Sequence, residues 1–222
     1  MINLDTFFKR YSNGDRSLGS RLSTMKIAVS FLNPYIKNNF VETGTTRKNE
    51  LTHPSIEDRA ADGCSTVLFT HYASLTGGKV WTCDIDSQNI ENCKIATKEY
   101  AETATYVVND SIDFLNNFTQ PIDFLYLDSV DSHVPFAADH QLKEIQSAMK
   151  NLHSRSVIVL DDLGAKTVLS IPFLQKNNWC QISLNVPYPS NYNDINQAVF
   201  VHETFLYTDH SKLTENERFI ER

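Results

Sequence analysis

Acidic residues stand at the ends of five consecutive apolar runs. Glu42 closes the run 39–43 (NFVET), with Gly44 beside it, and Asp84 and Asp86 stand at the end of 79–85. Asp110 and Ser111 follow 104–109, Asp128 ends 122–128, and Asp161 and Asp162 end 156–162. One acid after a strand is ordinarily a solvated cap. Five at the same end of successive strands point to a shared polar site, because open α/β sheets bind ligands at the carboxyl ends of their strands. Two Gly/Ser/Thr phrases lie nearby, GTT at 44–46 and GCST at 63–66, of the kind that lets a backbone approach a nucleotide.

The runs that must position these residues are 39–43, 79–85, 104–109, 122–128, 156–162, 180–186 and 197–207. They are rich in β-branched and aromatic residues, and several lack clean alternation, as strands covered on both faces do. Helical patterns lie between them. One covers 64–76. A second covers 87–101, with Ser87 as its N-cap and Ile90, Cys93 and Thr97 on one face. A third covers 135–152, with Pro135 at its first position and Ala138, Leu142, Ile145, Met149 and Leu152 recurring at helical spacing. A fourth covers 165–177, after Gly164.

This alternation predicts an α/β chain: a doubly wound, Rossmann-like sheet of seven strands, mostly parallel, with helices on both faces. No helical pattern separates the last two runs. The link VPYPSNYNDIN predicts that they pair as a C-terminal antiparallel hairpin. The expected organisation is a helical extension over 1–36, one domain over 37–210 with an insertion at 47–62, and a charged tail over 211–222. The apolar faces of the extension pack either on its own domain or on a second copy, as in a homodimer.

Bulk properties narrow the function classes. A chain of 222 residues that is 41% hydrophobic and 21% charged can bury a sizeable core. A formal net charge of −7 argues against nucleic acid as the partner. Cys64, Cys83, Cys93 and Cys180 form no CxxC pair and read as packing residues in a reducing compartment. The opening MINLDTFFKR has no signal-peptide character, and no run approaches the ~20 apolar residues of a membrane span. A cytoplasmic protein without a membrane partner is expected.

The E-x-G-T and G-x-S-T phrases, the acid closing the second strand and the terminal hairpin resemble class I S-adenosylmethionine-dependent methyltransferases over roughly residues 38–207. The flavour is that of small metal-dependent O-methyltransferases acting on catechols, caffeoyl thioesters and sugars. The resemblance implies that Glu42, Gly44, Gly63, Ser65 and Thr66 form the first cofactor motif, with Glu42 near the methionine ammonium. It implies that Asp84 takes the ribose hydroxyls, a task suited to a carboxylate because it can accept from both. Asp110 and Ser111 would stand at the adenine edge. Asp128, Asp161 and Asp162 would hold Mg²⁺ or another divalent cation, for which hard oxygen ligands are suited. The acceptor would be a small molecule or a sugar.

Two features depart from that pattern. Residues 45–62 separate Gly44 from Gly63, where the family motif is nearly continuous. The stretch RKNELTHPSIEDRAAD reads as a flap, with Arg47, Lys48, His53 and Arg59 facing the acceptor, or as a solvated loop. The family's lysine three residues beyond the strand-four acid is replaced by Asp131. The general base is then open among Asp131, His133 and His140, with His133 favoured because imidazole titrates near pH ~6.5. Two rival functions remain: an NAD(P)-dependent oxidoreductase, which the lack of GxGxxG disfavours, and a non-catalytic binding module on the same fold.

Overall fold

The computed structural model describes residues 2–49, 51, 55, 64–182 and 197–206. Seven strands form one sheet: β1 (Asn39–Thr43), β2 (Lys79–Asp84), β3 (Ala104–Val108), β4 (Ile122–Leu127), β5 (Leu152–Asp161), β6 (Trp179–Gln181) and β7 (Gln197–His202). Their order is β3-β2-β1-β4-β5-β7-β6. β1 to β5 are mutually parallel, and β7 runs antiparallel to both β5 and β6. The chain steps outward from β1 in one direction through β2 and β3, then resumes on the other side with β4. That reversal opens a crevice beyond the carboxyl ends of β1 and β4, where an open parallel sheet has its binding site.

The helices are α1 (Leu4–Lys9), α2 (Leu22–Ser30), α3 (Ser65–Thr76), α4 (Ser87–Ala96), α5 (Ser111–Asn117), α6 (Ala137–Ala148), α7 (Ser170–Lys176) and α8 (Glu203–Leu206). Alternate strand residues face opposite layers. Phe40, Phe124, Tyr126, Val157 and Val199 pack on one face with Phe7, Tyr11, Met25, Val29, Leu68, Phe69 and Tyr72 of the N-terminal segment and α3. Val41, Leu125, Leu127, Ile158, Leu160 and Phe200 pack on the other with Phe114, Leu115, Ile145, Ala148 and Leu174 of α5, α6 and α7. Both faces are covered, which is why the strands lack a two-residue polar alternation. The extension therefore lies on its own sheet. Cys64, Cys83 and Cys93 are buried free thiols. Among the described residues no helix is long and apolar enough to cross a membrane.

Element boundaries depart from the sequence reading in instructive places. The N-cap of α4 is Asp86, whose carboxylate accepts from the Gln88 amide, so Ser87 is the first helical residue. The helix stops at Thr97, whose hydroxyl donates to the Cys93 carbonyl, and a 3₁₀ segment continues over Lys98–Thr103. Pro135 is not in the first turn of α6. It belongs to a turn in which the Ala137 amide bonds the Val134 carbonyl, and α6 starts at Ala137. The pattern over 165–177 splits into a 3₁₀ turn (Ala165–Thr167) and α7. Helix α5 was not foreseen. It is short and is held by its Asp110 N-cap, which accepts from the amides of Ile112 and Asp113. The link between β6 and β7 lies outside the described residues.

Candidate active site

Behind the site lies a buried carboxylate that does not line the cavity. Glu42 lies on β1 opposite Thr82 of β2 and is fully buried. Ser65 Oγ donates to its Oε1 at 2.5 Å, while Thr66 Oγ1 and Thr82 Oγ1 donate to Oε2 at 2.6 and 2.7 Å. Burial pushes Glu42 up to about 7, against these three hydroxyls, which favour the charged form. Thr66 Oγ1 also accepts from the Thr46 amide at 3.0 Å. The two phrases separated in sequence are therefore joined in space through Glu42 and the first turn of α3. Gly63 and most of the insertion, His53 and Arg59 included, lie outside the described residues.

Gly44 sits at φ +76°, and a Cβ there would fall 2.3 Å from the Asp128 carbonyl oxygen. The reason is local: the Gly44 amide bonds the Cys83 carbonyl and the Asp128 amide bonds the Thr43 carbonyl, so three strand ends converge on it. Only glycine combines that backbone conformation with that approach.

A crevice open to solvent lies beyond these strand ends. Gly44, Thr45 and Arg47 line it after β1 and Ser65 from α3; Asp84, Asp86 and Asn89 line it after β2, and Asp128, Ser129 and Asp131 after β4. Asp84 is half-buried there. It accepts from the Asp86 amide at 2.8 Å and from Asn89 Nδ2 at 3.3 Å, and a carboxylate has lone pairs to spare beyond these.

Other expected site residues lie elsewhere. Asp110 serves as the N-cap of α5, and Ser111 is buried with its Oγ 2.9 Å from His140 Nε2; neither lines the cavity. His133 is exposed and away from the cavity wall, whereas Asp131, one end of the same turn, is on it. His140 is engaged with Ser111 and lies 3.7 Å from Glu144 Oε1. Glu144 is fully buried and reaches the cavity only through Ser129, whose Oγ donates to it at 2.7 Å.

The three acids proposed for a metal do meet: one oxygen from each of Asp128, Asp161 and Asp162 lies within 4.8 Å of the others. Asp162 is at φ +57°, a turn that folds its side chain back beside Asp161. Protein cations already stand among them. Arg21 Nη2 donates to Asp161 Oδ2 at 2.8 Å and its Nε contacts both oxygens at 3.2 Å, while Gln197 Nε2 donates to Oδ1 at 2.7 Å. Lys166, fully buried, places its Nζ 3.2 Å from Asp128 Oδ1 and 3.7 Å from Asp162 Oδ2. Burial by itself would raise the Asp161 carboxyl, but Arg21 overrides it and holds the group below its ordinary range. Asp128 is pushed well above its ordinary value by burial and by the Asp161 charge, with Lys166 opposing. A divalent ion needs carboxylate lone pairs and room for its waters. Here Asp161 is occupied on both oxygens and an ammonium sits between the other two acids. The residues as arranged do not fit a divalent cation.

Arg21 and Lys166 are the site residues that sequence reasoning missed. Lys166 had a readable signal, since it follows Asp162 by four positions at the start of the next turn. Arg21 had none, because nothing local ties residue 21 to residue 161.

Residues 60–163 match the family described as a methyltransferase domain. No curated protein matches the chain in sequence. Solved structures with a similar fold include the SAH-bound methyltransferase PaMTH1 of Podospora anserina. It has a TM-score of 0.57 and 12% identity, with 90% of this chain and 87% of that one covered. An rRNA methylase from Streptococcus thermophilus gives 0.52 at 13% identity, covering 80% and 95%. The precorrin-6y C5,15-methyltransferase of Geobacter metallireducens gives 0.51 at 14% identity, covering 84% and 89%. At such identities the likeness speaks for the fold, a sheet closed by an antiparallel hairpin. The matched segment, just under half of the chain, is similar to a methyltransferase domain, and the sheet has the fold of these solved methyltransferases.

Proposed function

We propose that the chain is an S-adenosylmethionine-dependent O-methyltransferase acting on a hydroxyl of a small molecule, with a sugar or glycan precursor as the favoured class. The observation that carries this reading is Asp84, at the end of β2, facing the same cavity as Gly44 at the switch point. Asp84 would hold the ribose hydroxyls, and the close approach of the Gly44 and Asp128 backbones forms the floor beside it. Ser65 and Thr45 continue that wall. When bound, S-adenosylmethionine supplies an electrophilic methyl group.

The chain's own residues supply the rest. The cavity wall must hold the acceptor oxygen in line with the methyl group. The acceptor proton then passes to a base. Asp131 is our choice because it stands on the wall, with His133 on the same exposed turn as the second candidate. Magnesium assistance belonged to the same family expectation. The triad does not fit the ion as arranged, so no step is assigned to it.

Asp84, Asp86, Asp128 and Asp131 on the wall are answered there by Arg47. Carboxylates accept hydrogen bonds and repel phosphate, so a polyhydroxylated acceptor suits this wall and a nucleic acid does not.

The test is calorimetric titration with S-adenosylhomocysteine, with NAD⁺ as control ligand. Binding that Asp84→Ala removes, with the fold intact, supports the reading and opens a screen of sugars and phenols. A folded protein that ignores S-adenosylhomocysteine and takes NAD⁺ would overturn it. In the screen, Asp131→Asn should lower kcat at least tenfold while sparing S-adenosylhomocysteine affinity, a partition typical of a general base at roughly 10²–10⁴-fold overall.

A further inference from the structure

We infer that the triad Asp128, Asp161 and Asp162 is a metal-independent site whose resident cations are Lys166 and Arg21, and that Lys166 is the group that keeps a divalent ion out.

Lys166 has no exposed surface. A buried ammonium is tolerated only when paired, and its partners in the triad are Asp128 at 3.2 Å and Asp162 at 3.7 Å. Its backbone is fixed as well. The Thr167 amide bonds the Gly164 carbonyl, and the Gly164 amide bonds Thr167 Oγ1, both at 3.1 Å, which locks the turn that carries Lys166. The turn fixes where the Lys166 stem starts, beside Asp162. A metal bound between Asp128 and Asp162 would share their lone pairs with an ammonium and sit within a few ångströms of a like charge.

Asp161 is closed by different means. Arg21 spans both its oxygens, and Gln197, its partner in the β5–β7 register, takes one of them again. Arg21 arrives from the N-terminal extension, so this part of the site is complete only when the extension is docked. Three carboxylates are thus met by two protein cations, with Asp128 and Asp161 hydrogen-bonded and Asp162 at ion-pair distance. Asp128 is the member of the triad whose side chain borders the cavity wall.

The inference concerns cation occupancy and is tested without any transfer reaction, so it stands or falls separately from the proposed activity. Mn²⁺ uptake by the full chain is followed by electron paramagnetic resonance for wild type, Lys166→Met, Arg21→Gln and Asp161→Asn. Wild type should take up no Mn²⁺ that Asp161→Asn removes. Lys166→Met, which keeps the apolar stem and drops the charge, should bind Mn²⁺ roughly tenfold or more tightly than wild type. Arg21→Gln should show a smaller gain, because the ammonium remains. A stoichiometric Mn²⁺ site in wild type that Asp161→Asn abolishes would overturn the inference, whatever the variants do. A folded Lys166→Met that binds no better than wild type would overturn the role given to Lys166. If Lys166→Met does not fold, Lys166→Gln, which keeps a polar head without the charge, carries the same arm with the same expected and overturning results.

Discussion

Arg21 and Asp161 are 140 positions apart in the chain, and the guanidinium of one grips the carboxylate of the other at 2.8 Å. The pair ties the N-terminal extension to the end of β5. Asp161 is fully buried and Arg21 only partly exposed, so solvent screens the pair weakly. It is the point at which a segment that reads as an accessory becomes part of the site.

Removing Arg21 should therefore cost stability beyond a surface charge. Arg21→Ala leaves a buried carboxylate unpaired, an effect of about 3 kcal/mol. Because Arg21 holds the Asp161 carboxyl below its ordinary range, the stabilisation is present above that range and is lost as pH falls through it. Urea unfolding should show a lower midpoint at pH 7 and a shallower loss on the acid side in the variant. An unchanged midpoint would mean that the pair contributes nothing net.

Glu42 should give the opposite slope. Burial raises it from 4.5 to about 7, so the folded chain binds that proton more tightly than the unfolded chain. Its contribution is complete below about pH 4.5 and is lost as pH rises towards 7, by about 3 kcal/mol. Glu42→Gln cannot titrate. Relative to wild type it should gain stability across that window and hold a constant difference above it. A pH-independent difference would refute the raised carboxyl.

Gly44→Ala tests the convergence of strand ends. The new Cβ meets the Asp128 carbonyl at 2.3 Å from a backbone at φ +76°, and neither partner is a flexible side chain. The expected result is a loss of about 2 kcal/mol or more, with weakened S-adenosylhomocysteine binding. Thermal melting and calorimetry read the two effects. A variant that melts and binds like wild type would show that the strand ends can part freely.

The docking of the extension has its own handle at His71. Tyr11 OH lies 2.7 Å from His71 Nδ1, and the imidazole stacks on Tyr100 with ring centres 4.7 Å apart. Burial first, then Arg10 and Arg16, push His71 down to about 4. A depressed histidine contributes stability above its unfolded pKa near 6.5, and that contribution is lost as pH falls towards 4. His71→Phe should remove this dependence. Protease sensitivity of the N-terminal segment between pH 7 and pH 5 should rise in wild type and stay flat in the variant. Equal profiles would remove His71 from the docking.

Much of the sheet was legible because its signals are local. β1 to β5 and β7 appear as apolar runs, and turn residues punctuate them. Helix ends were less legible where side chains decided them: Asp86 rather than Ser87 caps α4, and Thr97 stops it. Helix α5 escaped notice because seven residues carry too little periodicity, and its cap, Asp110, had been read as a ligand group. The strand-end acids were legible as a set, yet their partners were not.

By itself the sequence determined the order of the strands and of the longer helices, the glycine at position 44 and the row of acids at one end of the sheet. Those follow from local propensity and from the two-residue and 3.6-residue periods, which neighbouring residues express together. Only the tertiary structure decided what each acid meets. It buries Glu42 under three hydroxyls, opens Asp84 to the cavity, caps a helix with Asp110 and closes Asp161 with Arg21. A carboxylate's chemistry is set by its desolvation and by charges within a few ångströms, and here those charges come from residues far away in the chain.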